Sequence, residues 1–134
     1  MSLSFISSTV ITLLTVSLGV FASIYVSWAR QKYGIKAPKT SGHDAFEQIY
    51  RAHLNLIENT VLFLPILWLS NYFVEPAFIW LFGMLWFIGR TVFTYAYYIN
   101  NSKLKLYASS VAMTALVTLI VLCAVRLILI YFPM

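Results

Sequence analysis

Between Phe46 and Asn59 the chain reads FEQIYRAHLNLIEN, which sets two glutamates, an arginine, a histidine and two asparagines into one short run. On a helix, at about 100° per residue, Glu47, Arg51, Asn55 and Glu58 project at roughly 0°, 40°, 80° and 20°, with Asp44 near 60°. They form a polar ladder along one face. His53 projects near 240° on the same wheel, so a site that uses both needs a second protein surface, such as a neighbouring subunit. Arg90 stands in the middle of a separate apolar segment and shares its face with Trp86, Phe93, Thr94 and Tyr97. An unpaired arginine at mid-bilayer costs ~2.5–3.5 kcal/mol even on insertion scales, so pairing with Glu58 at comparable depth is expected. Helix locking is the plain alternative for Arg90. It explains the ladder less well, because locking needs one or two pairs. Counting Arg30, Arg51, Arg90 and Lys105 against Glu47 and Glu58, four minus two leaves a local charge of +2. That balance suits a small anion that also carries an amine, with carboxylates holding the amine and arginines clamping ligand carboxylates. Nearby Trp and Tyr rings and the surrounding lipid offer an apolar second compartment.

These side chains need helices to position them. The chain is 61% hydrophobic and only 10% charged, and four apolar blocks divide it. Each is near or above the ~18–20 residues that carry a helix across hydrocarbon. Backbone groups in lipid must be satisfied internally, which makes such blocks helical. The polar outer faces of a soluble bundle are missing. The expected fold is an all-α integral membrane protein, a four-transmembrane-helix bundle in one domain over 1–134, with helices over roughly 5–33, 44–74, 76–100 and 104–132. Gly34, Pro38 and Gly42 break the chain before the second helix. Asp44 is the expected N-cap there, with Glu47 three residues on as in a capping box. Pro76 is placed to open the third helix, and Pro65 to kink the second or loosen one hydrogen bond.

Charge orients the bundle. Arg30, Lys32, Lys36 and Lys39 surround the first connection, and Lys103 and Lys105 flank the third. The positive-inside rule puts both connections in the cytoplasm and both termini on the non-cytoplasmic side. Arg126 lies roughly 32 Å along a helix beyond Lys105, at the outer boundary, where it can snorkel. No Lys or Arg precedes the first block, which is too long for a cleavable signal peptide. The short connections and the absence of a tail point to a bacterial inner membrane rather than endoplasmic reticulum. Basic residues form no stripe with interleaved aromatics, which argues against nucleic acid. The lone Cys123 excludes an intrachain disulfide and reads as a packed hydrophobe. His43, His53 and Cys123 lack metal-ligand spacing, so no metal is expected.

The run FEQIYRAHLNLIEN resembles the signature of the MAPEG superfamily, the membrane-associated proteins of eicosanoid and glutathione metabolism, through Glu47, Arg51, His53, Asn55 and Glu58. WAR at Trp28–Arg30, GRTVFTYAYY at Gly89–Tyr98 and YASSVAM at Tyr107–Met113 extend the similarity over nearly the whole chain. The resemblance implies a homotrimer with four helices per subunit and glutathione bound between subunits near the cytoplasmic face. It implies glutathione as co-substrate, conjugated to a lipophilic electrophile or used to reduce a lipid hydroperoxide. By position, Arg51, Asn55 and Glu58 contact glutathione from one subunit, while Arg30, His53 and Tyr97 complete the site. Arg90 corresponds to the family's structural arginine, and Glu47 and Phe93 stand in supporting positions.

Two positions depart from the pattern. Leukotriene C synthase-like members carry a tyrosine where this chain has Phe93. They also carry an arginine near the start of the fourth helix that stabilises the thiolate, and Lys105, one residue out of register, is the match here. With Arg30, Lys105 is the expected catalytic cation. A lysine still stabilises a thiolate as a point charge, without the planar fork. The helix-two proline common in the family lies about one turn away here, at Pro65. The leading expectation is a membrane-bound glutathione transferase with accompanying peroxidase activity. The alternatives are a non-catalytic lipid-binding member of the superfamily and a small transporter that couples through its intramembrane charges.

Overall fold

The computed structural model describes residues 2–132. Four helices follow one another: α1 (Leu3–Tyr33), α2 (Asp44–Phe73), α3 (Pro76–Tyr98) and α4 (Ser102–Tyr131). Each is long and apolar enough to cross a membrane. α2 and α3 each pack against the other three helices, whereas α1 and α4 do not meet. The core between them centres on Phe63 of α2 and Trp86 of α3, stacked with ring centroids 3.7 Å apart. Ile11, Leu67, Ile79, Leu116 and Leu119 enclose that pair. A second cluster, Val26, Ala29, Phe46 and Ile49, seals the α1–α2 end beneath Tyr25, Tyr50 and Tyr98.

α3 and α4 approach most closely at Gly89. A Cβ added there would lie 3.0 Å from the Ala108 carbonyl oxygen and from the Ala112 backbone nitrogen, atoms that cannot swing aside. Ala108, Ala112 and Ala115 are buried on the facing side of α4. Such small residues let two helices pack by close backbone contact in lipid, where burial gives little drive for association. Across α2 and α4, Ser70 Oγ lies 3.4 Å from Cys123 Sγ.

Helix ends follow local chemistry, with one correction. The N-cap of α2 is His43, whose Nδ1 accepts from the Ala45 N–H at 3.2 Å, and Asp44 is the first helical residue. Glu47 still reaches back, accepting from the Gly42 N–H at 2.9 Å. The carboxylates of Asp44 and Glu47 both sit in the first turn, where they complement the helix dipole. Gly34 closes α1 in the left-handed region at φ 69°, with its N–H on the Arg30 carbonyl. Pro76 opens α3, where its missing N–H costs nothing. α2 continues through Pro65.

Candidate functional site

The buried residues of α2, including Ile49, Ala52, Leu56, Phe63 and Leu67, define the face turned to the bundle. On the wheel used above that face centres near 170°, so Glu58 lies about 150° from it and Arg51 about 130°. The ladder therefore runs along the outside of the subunit, and Glu47, Arg51 and Glu58 are exposed. Asn55, about 90° from the buried face, is the ladder residue that can reach α3.

This geometry overturns the expected Glu58–Arg90 pair. Arg90 is 2% exposed and gives its Nη2 to the Asn55 side-chain oxygen and, at 3.3 Å, to the Asn55 carbonyl. Asn59 Nδ2 donates to the same two oxygens, at 3.3 and 2.8 Å. The guanidinium also lies over the Phe93 ring, 4.6 Å from its centroid, and Arg90 Nε has no partner among the described residues. A buried charge held by one amide makes an asymmetric prediction. Asn55→Leu removes the guanidinium's side-chain acceptor and leaves the main-chain carbonyl alone to hold it, and is expected to cost about 2 kcal/mol, whereas Arg90→Met removes the charge and is expected to cost under about 1 kcal/mol. Thermal unfolding in detergent measures both; a larger loss for Arg90→Met would show that the arginine stabilises the bundle outright.

Above Arg90, the face of α3 continues to the α1–α2 end. Phe93 packs edge-to-face on Tyr97 at 5.2 Å, and Lys105 Nζ sits 4.3 Å from the Tyr97 ring centroid. Asn101 caps α4 through a bond to the Leu104 N–H, which fixes the turn that carries Lys105. The ammonium is further placed by Asn100 Oδ1 at 3.4 Å and Gln48 Oε1 at 3.5 Å. Lys105 and Tyr97 join Glu47, Arg51, Gln48 and Tyr50 around a cleft of about 500 Å3 between α2, α3 and α4. A neighbouring cleft of about 440 Å3, reaching Tyr25, Tyr33 and Asp44, shares Glu47, Gln48 and Tyr97 with it. Leu106 and Tyr107, the next residues on α4, are 67% and 68% exposed and line neither cleft.

The structure thus brings Glu47, Arg51, Tyr97 and Lys105 together, and links Asn55 to Arg90 at a separate contact on α2 and α3. It does not bring the others to this cleft. Arg30 donates to the Lys39 carbonyl at 2.7 Å and lies over Phe46 and Tyr50, touching the cleft only through the Tyr50 ring. Glu58 lies farther along the exposed face of α2, and the Nδ1 atom of half-buried His53 is shielded from solvent with no partner among the described residues. Sequence reasoning missed Gln48, Tyr50 and Asn100. Gln48 and Tyr50 stand inside FEQIYRAHLNLIEN, next to Glu47 and Arg51, and had that positional signal, whereas Asn100 did not. Among the described residues, no group of three or more His, Cys, Asp or Glu side chains could hold a metal ion.

The arrangement offers cations, a carboxylate and an aromatic face to a small charged ligand. Comparison with known proteins bears on which ligand. The model of the MAPEG family matches residues 8–125. An uncharacterised protein of Synechocystis sp. is 36% identical over 66% of this chain, and the match spans 64% of that protein. Leukotriene C4 synthase of Bos taurus is 35% identical over 81% of this chain and 74% of its own. Microsomal glutathione S-transferase 2 of Homo sapiens is 26% identical over 75% of this chain and 69% of its own.

Proposed function

The chain belongs to the MAPEG family, and from that premise we propose that it is a membrane glutathione transferase, ionising the glutathione thiol for attack on lipophilic electrophiles. Reduction of lipid hydroperoxides is the accompanying activity. The observation that carries the reading is the meeting of Glu47, Arg51, Tyr97 and Lys105 at one cleft of a bundle whose four helices are long and apolar enough to cross a membrane. The names of the bovine and human relatives supply the ligand: one is a leukotriene C4 synthase, the other a microsomal glutathione S-transferase.

Glutathione carries two carboxylates, one ammonium and one thiol at neutral pH. Arg51 can clamp a carboxylate, and Glu47 can accept from the ammonium. Lys105, held by Gln48, Asn100 and the Tyr97 ring, can set its positive charge beside the sulfur and lower the thiol pKa. The thiol proton passes to water. The thiolate then forms the new S–C bond as the leaving group departs with its electron pair. With a hydroperoxide, the sulfur takes the terminal oxygen, the O–O bond breaks and the alcohol leaves. A second glutathione then displaces hydroxide as the disulfide forms.

A homotrimer completes this reading. Arg51 and Glu58 are exposed among Ile57, Val61 and Leu62, all of which are exposed too. Charges facing hydrocarbon are expensive, and a second copy of the chain covering this face would shield them. That copy would also bring Arg30 or His53 to a neighbour's glutathione, with Asn55 and Glu58 completing its contacts. The basic α1–α2 and α3–α4 connections support a site on the cytoplasmic side of the membrane.

The deciding experiment is the ultraviolet absorbance of the thiolate when purified protein meets glutathione at neutral pH. A signal approaching one per site or per trimer is expected. Calorimetric binding without that signal would favour a non-catalytic binding role, and neither signal would overturn the glutathione reading.

A further inference from the structure

The far end of the bundle, where α2 passes into α3, holds a second polar cleft of about 420 Å3 that shares no residue with the candidate site. Its floor lies between the last turn of α2 and the last turns of α4, and its two charges are of opposite sign: Glu75 and Arg126. Glu75 is the N-cap residue of α3 yet makes no side-chain capping bond, so its carboxylate remains available. Arg126 is exposed and stands five residues before Tyr131, the end of α4. That is about 7–8 Å along the helix, a depth from which a guanidinium rises to the headgroup layer. Asn71 also lines the cleft, and its oxygen is already taken by Ser8 Oγ at 2.9 Å, which leaves its N–H donors for another partner.

The cleft continues into an apolar groove of about 320 Å3 through Asn71 and Tyr72, which line both. Phe5, Pro65, Trp68 and Leu69 wall this groove, and Phe5 packs edge-to-face on Trp68 at 5.3 Å. One positive and one negative group above a greasy furrow match one amphiphile. We infer that this end of the bundle binds a phospholipid with a zwitterionic, primary-amine headgroup. Its phosphate lies on Arg126 and Asn71, its ammonium on Glu75, and one acyl chain lies against Trp68. Guanidinium meets phosphate in a planar fork, and a carboxylate accepts hydrogen bonds from an ammonium. A purely anionic headgroup would instead meet Glu75 as a like charge. A free phosphate would leave both the carboxylate and the groove unused.

The test uses the full protein, delipidated in detergent and offered phosphatidylethanolamine, phosphatidylglycerol or inorganic phosphate, with retained ligand counted by native mass spectrometry. Wild type is expected to keep phosphatidylethanolamine in about tenfold preference to phosphatidylglycerol, a difference of roughly 1.4 kcal/mol. Arg126→Gln should lose the lipid, and Glu75→Gln should lose the preference while still binding. Both side chains are exposed, so the unfolding temperature should stay that of wild type. In vesicles, bromine-labelled phosphatidylethanolamine should quench wild-type tryptophan fluorescence more than that of Trp68→Phe. Equal retention of phosphatidylglycerol, full retention by Arg126→Gln, or displacement by millimolar inorganic phosphate would overturn the assignment.

Discussion

Lys105→Met is expected to lower turnover with a small aromatic electrophile such as 1-chloro-2,4-dinitrobenzene ~100-fold, the scale of removing one aimed charge from a developing anion. Glutathione affinity should fall by no more than about fivefold, since a half-exposed ion contact is worth about 0–1 kcal/mol. The separation follows from where the ammonium sits. Lys105 is anchored by neutral partners, Gln48, Asn100 and the face of Tyr97, so its charge is not spent on a protein carboxylate. It remains free to act on the sulfur. Without it the bound thiol returns toward an ordinary pKa of roughly 8.5. Activity would then be lost at neutral pH and recovered as the medium becomes alkaline. Lys105→Arg retains the charge and should retain most of the rate. Steady-state kinetics from pH 6 to about 9.5, bracketing the free-thiol range, reads all of this. An unshifted profile, or equal losses in binding and turnover, would remove Lys105 from the chemistry.

Arg51→Ala is expected to weaken glutathione binding by ~10–100-fold, the equivalent of one or two hydrogen bonds between charged groups. Arg51 is exposed on the outer face of α2 and lines the cleft, so its loss should leave the unfolding temperature of the subunit unchanged. Arg51→Lys should restore only part of the affinity, because an ammonium cannot match a carboxylate with two parallel bonds. Isothermal titration of detergent-purified protein measures both variants. An unaltered dissociation constant in folded Arg51→Ala would place the tripeptide elsewhere.

The four helices could be read from the chain because hydrocarbon imposes a length on each of them, and Gly34 and Pro76 mark ends by backbone geometry alone. The polar ladder was readable for the same reason: helical periodicity fixes which residues share a face. Which way that face points was not readable. Assigning Glu58 to Arg90 assumed that a charged face turns inward, as unpaired charge in lipid demands. The buried face is instead set by Phe63, Leu56 and Leu67, and it carries Asn55 to α3. The α2 cap was misplaced by one residue because histidine is a rare cap, whereas aspartate is a preferred one. His43 can serve since its Nδ1 is a good acceptor in the neutral ring. Gln48 and Asn100 escaped attention because neutral amides leave no charge pattern, and their work as partners of Lys105 depends on three separate elements meeting. Arg30 was expected at the ligand; within one subunit it serves the loop, holding the Lys39 carbonyl.

The membrane-length helices that carry the candidate cleft have a kinetic consequence for the proposed transfer. If glutathione is activated in a protein embedded in hydrocarbon, a lipophilic electrophile would reach it by lateral diffusion in two dimensions. Its relevant concentration is its mole fraction in the bilayer, fixed by partitioning. Inert lipid added to an assay would dilute this substrate and leave glutathione untouched. For that reaction, an apparent KM quoted per litre for the electrophile would be a property of the lipid-to-protein ratio, while that for glutathione would belong to the aqueous phase.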